Sequence, residues 1–470
     1  MNFWEWEDLD QLLGSDMISF AENPLIPCDS ELMLHRLEDQ SLELVSTSSL
    51  TYSFGNESAR ALGEVYKKEN SFKFETHYSV GVVEGVAQKS VTIKNGITEI
   101  RFSLQKLKTC SELDTPIHYS IDWIQNVPDN YPWPDMYSEL SKTIVERHFR
   151  GLPSVTLRSE RSKESYNTSA IRLKIYGFDI ILGTKQKPKQ LKNVKSGYII
   201  YLGNPDDDTR KLIRDSISFA LGTMLVYIGN SSFDQNQKWR EREAVSPHTL
   251  GGRVWQLVSA PPAPISDKST ILDKNKIERM ANALSYYADK TDLQQILWRI
   301  WYARTAPYYM APAYYGALIE TIQRKVTSDP KAKISRTILD KATYKKTKKF
   351  LSRYLNKQNL DETATKLLQS KIDSGNLAPQ KILSERFYSR LSLDLGSVEL
   401  SAWDRRNDAA HGNQVPSGGE IDLIRETKVL AVMLNRIMLK LTSGSDKYID
   451  YFTLNHPARL LKSPIGDESN

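Results

Sequence analysis

The apolar pattern of this chain changes character once, at Ala260-Pro261-Pro262-Ala263-Pro264. Proline has no N–H to give to a helix or a sheet ladder, so this run interrupts either kind of element. On its N-terminal side the pattern is mainly that of strands. Residues 71–86 mix Phe72, Phe74, Tyr78, Val80 and Val82 with polar residues, and residues 91–107 do the same around an Asn95-Gly96 turn. Residues 171–182 and 196–202 read as two more strands. Lys185, Lys187, Lys189, Lys192 and Lys195 between them read as a solvated hairpin tip, with an RNA contact as the alternative. One helix is expected here, over 206–228, with Asp206-Asp207-Asp208 at its start and Gly229 to stop it.

Beyond the prolines the period becomes helical. Helices are expected over 274–288, 293–303, 311–325, 335–355, 361–374, 380–393, 398–410 and 420–441. The chain therefore reads as an α+β protein in two parts. Residues 1–262 form a mixed, mainly β region, and residues 266–445 form an α-helical domain. The tail, 446–470, is expected to be loosely structured.

Charge narrows the partners. The net charge is +6, but the first 45 residues carry −10 and the remaining 425 carry +16. A basic body suits a polyanion such as nucleic acid, although a solvated lysine-rich surface has the same composition. The start, Met1 to Asp8, is acidic and lacks the basic and apolar regions of a signal peptide, and no apolar run reaches bilayer length. A cytoplasmic protein without membrane contact is expected. The two cysteines, Cys28 and Cys110, are too few for a disulfide framework or a zinc site. The chain has no Walker loop, no HExxH and no paired CxxC, so neither ATP hydrolysis nor zinc chemistry is expected, and no metal or other cofactor.

One segment carries a chemical signal: Arg406-Asn407-Asp408-Ala409-Ala410-His411, followed by Gly412. A looser arginine-to-histidine spacing also occurs at Arg242 to His248, but that stretch contains Pro247 and has no helical period. The tight Arg-Asn-x-x-x-His form within a helical domain resembles the signature of the HEPN superfamily, all-α domains that act as ribonucleases in prokaryotic defence and toxin systems. A mostly β half followed by such a domain is similar to ApeA-like anti-phage proteins. The stretch from Ser218-Phe219-Ala220-Leu221-Gly222 to Ser232-Phe233-Asp234 resembles that group less specifically.

The resemblance implies metal-independent cleavage of RNA, tRNA among the candidates, by a homodimer whose two motifs face each other. It implies that Arg406, Asn407 and His411 are the catalytic residues. Asp408 and Asp404 are possible supporting residues. It further implies abortive-infection defence, with a phage-derived trigger or regulatory protein acting through the N-terminal region.

The residue chemistry fits this implication. RNA supplies its own nucleophile, the 2′-hydroxyl, so the enzyme must add a base, an acid and positive charge. Histidine titrates near neutrality and can be base or acid. Arginine offers a fork of donors to phosphate oxygens. Asn407 can orient the phosphate or His411 without adding charge. Five residues on an ideal helix rotate about 140°, so Arg406 and His411 do not share a face. One motif also has only one histidine, whereas a two-fold dimer brings two.

The structural alternative is that Arg406 pairs with Asp404 or Asp408, while His411 and Gly412 end a helix. Two functional alternatives are a non-catalytic RNA-binding or dimerisation module and a subunit of a larger defence complex. Elsewhere, Lys345, Lys346, Lys348, Lys349 and Arg353 form a basic helical stretch with Tyr344 and Phe350. It could follow an RNA backbone or simply be solvated. Trp298, Trp301, Tyr302, Tyr308, Tyr309, Tyr314 and Tyr315 read as core or dimer packing, with base stacking as the alternative. Trp403 and Phe387 are expected to hold the motif's helix in place.

Overall fold

The computed structural model describes residues 17–20, 26–27, 29–49, 71–76, 79–112, 114–149, 155–184, 195–266, 270–288, 293–410 and 418–466. The chain divides into two units. One holds Met1–Pro261 with Ile265–Ser285, the other Pro262–Pro264 with Tyr286–Asn470.

The first unit is built from β1 (Met17–Phe20), β2 (Glu31–Arg36), β3 (Leu42–Ser48), β4 (Phe72–Thr76), β5 (Ser79–Glu84), β6 (Ala87–Lys94), β7 (Ile97–Leu104) and β8 (Lys106–Ser111). It continues with β9 (Tyr119–Gln125), β10 (Asp135–Phe149), β11 (Val155–Ile175), β12 (Phe178–Thr184), β13 (Ser196–Leu202), helix α1 (Asp207–Leu221), β14 (Val226–Phe233) and β15 (Trp239–Val245). Strands β2-β3-β7-β6 form a four-stranded sheet. The others form an eleven-stranded sheet in the order β1-β4-β5-β8-β15-β14-β9-β13-β12-β11-β10.

The alternation in β7 explains its placement. Thr98, Ile100, Phe102 and Leu104 face inward while Glu99 and Arg101 do not. The turn before it, Asn95-Gly96, takes positive φ at both residues, as the hairpin signal required. The four-stranded sheet meets the β4-β5-β8-β15 part of the larger one across Leu34, Leu44, Phe74, Val83, Phe102 and Leu107. Arg36 bridges the two layers, donating to the carbonyls of Gln40 at 2.7 Å, Val245 at 2.9 Å and Ile228 at 2.9 Å.

Three features of this unit differ from the sequence reading. Helix α1 starts at Asp207, with Asp206 capping Thr209 N at 2.7 Å, but ends at Leu221 rather than near Ile228. Gly222 adopts a left-handed φ of 63°, and a Cβ there would fall 2.1 Å from the Ala260 carbonyl. Val226-Tyr227-Ile228, β-branched and aromatic residues that favour strands, then open β14 of the sheet. Strand β10 and the part of β11 before Ile171 had no clear sequence signal, and the single strand read over 171–182 is broken at Tyr176-Gly177 into the end of β11 and β12. Residues 136–149 and 155–168 pair only with each other among the described strands, so no buried face imposes alternation on them.

The third difference concerns α2 (Lys274–Ala288), expected to open the helical domain. Its residues through Ser285 group with the β unit. Glu278 accepts from Lys174 N at 2.5 Å, and Asn282 accepts from Tyr176 N and donates to Lys174 O, both at 2.8 Å. These side chains hydrogen-bond backbone groups at and beside the β11–β12 turn.

The second unit contains α3 (Leu293–Thr305), α4 (Ala311–Ser328), α5 (Lys341–Leu355), α6 (Glu362–Ser374), α7 (Gln380–Leu391), α8 (Ser397–Ala410), α9 (Glu420–Thr442), β16 (Lys447–Ile449) and β17 (Ala458–Leu460). Helix α4 packs against α3, α7, α8 and α9. Leu318, Ile319 and Ile322 of α4 are buried, as are Val429, Leu430, Met433, Leu434 and Ile437 of α9. Each such side chain contributes about 1.5–3 kcal/mol of burial. Helix α5 begins at Lys341, not Ser335, because Asp340 caps it by accepting from Ala342 N at 3.0 Å and Thr343 N at 2.9 Å.

The tail is ordered where loose structure was expected. β16 pairs with β17, Tyr448 is fully buried, and Asp450 accepts from Thr453 Oγ1 at 2.7 Å, Arg459 Nε at 2.8 Å and Gly466 N at 3.0 Å. Ile449 N also donates to Pro262 O at 3.1 Å, which explains why the proline segment groups with the helices. Among the described residues no helix is long and apolar enough to cross a membrane.

Candidate active site

Arg406 to Ala410 of the motif form the end of α8, and this helix is tied down near its start and near Arg406 by arginine–glutamate pairs. At its start Glu399 and Arg436 of α9 form an ion pair at full burial. Two charges survive there because their remaining groups are satisfied. Arg436 also donates to Leu461 O, from Nε at 3.2 Å and Nη2 at 2.8 Å, and to Asp394 O at 3.0 Å. Glu399 Oε2 accepts from Gly396 N at 2.6 Å, half of a capping box. Burial raises the Glu399 carboxyl above its ordinary value of 4.5, against the pull of Arg436.

Near the other end, Arg406 is 8% exposed. Its Nη2 donates to Glu320 Oε1 of α4 at 2.6 Å, and its Nη1 donates to Trp403 O one turn back. The guanidinium lies over the Trp403 indole, with Cζ 3.5 Å from the ring centroid. Glycine at 316 makes room for it: a Cβ there would sit 2.8 Å from Arg406 Cδ. Next to Arg406, Arg405 Nη1 pairs with Glu426 Oε1 of α9 at 2.6 Å. Phe387 of α7 is fully buried. Burial pushes the nearby Tyr388 phenol up, so it stays protonated at neutral pH.

The structure treats the motif residues unequally. Arg406, expected to reach a phosphate, is held by Glu320 and Trp403. Its described ion-pair partner is Glu320 and not Asp404, one of the two partners weighed from sequence. Asp404 is exposed on α8. Asn407 and Asp408 belong to α8, but their side chains fall outside the described residues, as does all of His411. The looser match, Arg242 to His248, begins on strand β15, where Arg242 lies 4.6 Å from the Trp239 ring centroid.

Sequence reading missed Glu320 and Gly316. They are 86 and 90 residues from Arg406, on a helix with no motif of its own. The only available hint was their spacing of four, which places both on one face of α4. It also missed a charged cluster in the β unit. There Asp122, fully buried on β9, accepts from Arg214 Nη1, from Tyr201 OH at 2.8 Å and from Asn230 Nδ2 at 2.9 Å.

The weaker expectations divide. On α5, Lys348 pairs with Asp373 of α6 at 3.0 Å, whereas Lys345, Lys346, Lys349 and Arg353 are exposed. In the aromatic belt Trp301 and Tyr315 are buried, but Tyr302, Tyr308, Tyr309 and Tyr314 are exposed. Of the lysine-rich loop, Lys185, Lys187, Lys189 and Lys192 lie outside the described residues, and Lys195 pairs with Asp129 at 2.6 Å. No family model matches this chain, and no curated protein matches it.

Proposed function

We propose that this protein is a metal-independent endoribonuclease of the HEPN type that acts as a homodimer in anti-phage defence. The observation that supports this best is the anchoring of Arg406. The arginine of the Arg-Asn-x-x-x-His motif is held on the last turns of α8 by a carboxylate from another helix. Glu320 and Trp403 use only part of its donor fork. The remaining N–H groups can meet the scissile phosphate, and Glu320 keeps the side chain from wandering. His411 then moves the proton of the 2′-hydroxyl or of the leaving oxygen. Asn407 orients the phosphate. The second histidine comes from the other copy, so each half-site is incomplete alone. RNA, tRNA among its forms, is the substrate, and a phage-derived trigger or regulatory protein acts through the β unit.

A second reading has its own support. Arg406 is largely buried and doubly bonded, as a purely structural helix–helix ion pair would be. On that reading the helical unit is a non-catalytic RNA-binding or dimerisation module, alone or within a larger defence complex. The test incubates purified protein with total RNA in EDTA and maps the ends. The nuclease reading expects cleavage that leaves 2′,3′-cyclic phosphates and is lost in His411→Ala and Arg406→Ala. Cleavage that needs added Mg²⁺, or that survives His411→Ala, overturns it.

A further inference from the structure

Helix α5 has two faces of opposite character. The inner one is engaged with α6. Tyr344 OH donates to Ile372 O, Lys348 Nζ pairs with Asp373 at 3.0 Å, and Leu355 is buried. The outer one carries Lys346, Lys349, Phe350, Arg353 and Tyr354, spaced so that they share one side of the helix. Phe350 is 70% exposed and Tyr354 60%. Lys346, Lys349 and Arg353 are exposed and have no acidic partner among the described residues. The stretch 341–357 contains seven basic residues and no acidic one, so no carboxylate within the helix itself neutralises this face.

We infer that the outer face of α5 is a platform for single-stranded RNA. Phe350 and Tyr354 stack on unpaired bases, and Lys346, Lys349 and Arg353 contact the phosphates between them. This inference rests on the reading of the protein as one that acts on RNA. Base–aromatic stacking and a basic groove are the two ingredients of single-strand binding, and both occur on this one face. The aromatic pair also selects strandedness. Residues four apart on a helix are about 6 Å apart along its axis, wider than the 3.4 Å rise per stacked nucleotide. That spacing suits bases splayed from their stack, and paired bases cannot offer their faces at all.

Two other occupants fit less well. A second copy docked by two-fold symmetry would set these bases against the same bases. A membrane surface would want a continuous apolar face, whereas the apolar side of α5 is taken up by α6 and the outer aromatics are interleaved with charge.

The test measures binding of the full-length protein to a 2′-O-methyl oligoadenylate of about 12 nucleotides, which spans a typical site and cannot be cleaved through its own 2′-oxygen. The platform expects Phe350→Leu/Tyr354→Leu to weaken binding at least ~10-fold, with the salt dependence unchanged. Lys346→Gln/Lys349→Gln/Arg353→Gln is expected to lower the slope of log K against log salt by about 2. Both variants alter exposed side chains only. Unchanged affinity in both variants overturns the inference, and so does equal binding of a matched duplex by the parent protein. A shift in oligomeric state, or a loss of anionic-vesicle binding, with oligonucleotide affinity intact assigns the face to another partner and also overturns it. Cleavage of unmodified RNA is scored separately. Intact binding without cleavage defeats the nuclease reading and leaves the platform standing.

Discussion

Nη2 of Arg406 and Oε1 of Glu320 lie 2.6 Å apart and join the last turns of α8 to α4. Removing the acceptor leaves a largely buried guanidinium short of a partner. Glu320→Ala is therefore expected to lower the stability of the helical unit by about 1–3 kcal/mol, read by urea unfolding. If Arg406 meets the phosphate, the same change misplaces it and slows RNA cleavage by up to about 10²-fold. A stability loss with full cleavage activity would assign the pair to packing alone.

The ordered tail leads to a second expectation. Arg436 depends on Leu461 O for two of its hydrogen bonds, and Tyr448 is fully buried against this region. Truncation after Ser445 is expected to destabilise the helical unit by at least about 1–3 kcal/mol, the effect of leaving buried charged donors short of an acceptor. Chemical denaturation of the truncated chain measures it. Unchanged stability would mean that the tail is dispensable.

A third expectation concerns pH. Burial raises the Asp215 carboxyl from 3.8 to about 6. The folded β unit therefore holds this proton more tightly than the unfolded chain does. Its contribution is fully present below pH 3.8 and is lost as pH rises through about 6. The loss is about 3 kcal/mol at most. Asp215→Asn is expected to flatten stability across that window, read by thermal melts from pH 4 to 7. Parallel pH profiles for parent and variant would refute it.

The β10–β11 ribbon provides a fourth. Met136, Leu140, Ile144, Val145 and Tyr166 are exposed, and among the described residues the ribbon pairs with no third strand beyond Ala170. Such a hairpin adds little stability of its own. Replacing residues 138–166 with Asn-Gly would join the paired Tyr137 and Asn167 through a tight turn. The melting temperature of the β unit is expected to change by only a few degrees, measured by circular dichroism. A collapse of the fold would show that the ribbon is needed to build it.

Local signals in the chain were sufficient for much of this. Asn95-Gly96 marks a hairpin, Asp206 and Asp361 mark helix starts, and the switch from strand to helical period divides a β-rich half from a helical one. Each is legible because cause and effect lie within a few residues of each other. The motif at Arg406–His411 is legible for the same reason, as a chemical pattern within six consecutive residues. Tertiary structure decided which groups meet. Glu320 and Gly316 define the surroundings of Arg406 from another helix, Asp122 gathers Arg214, Tyr201 and Asn230 from distant elements, and α2 joins the β unit by hydrogen-bonding backbone groups at Lys174 and Tyr176. Periodicity describes a single element's faces. Which buried charge finds which partner depends on how helices and strands pack, and no local pattern encodes that.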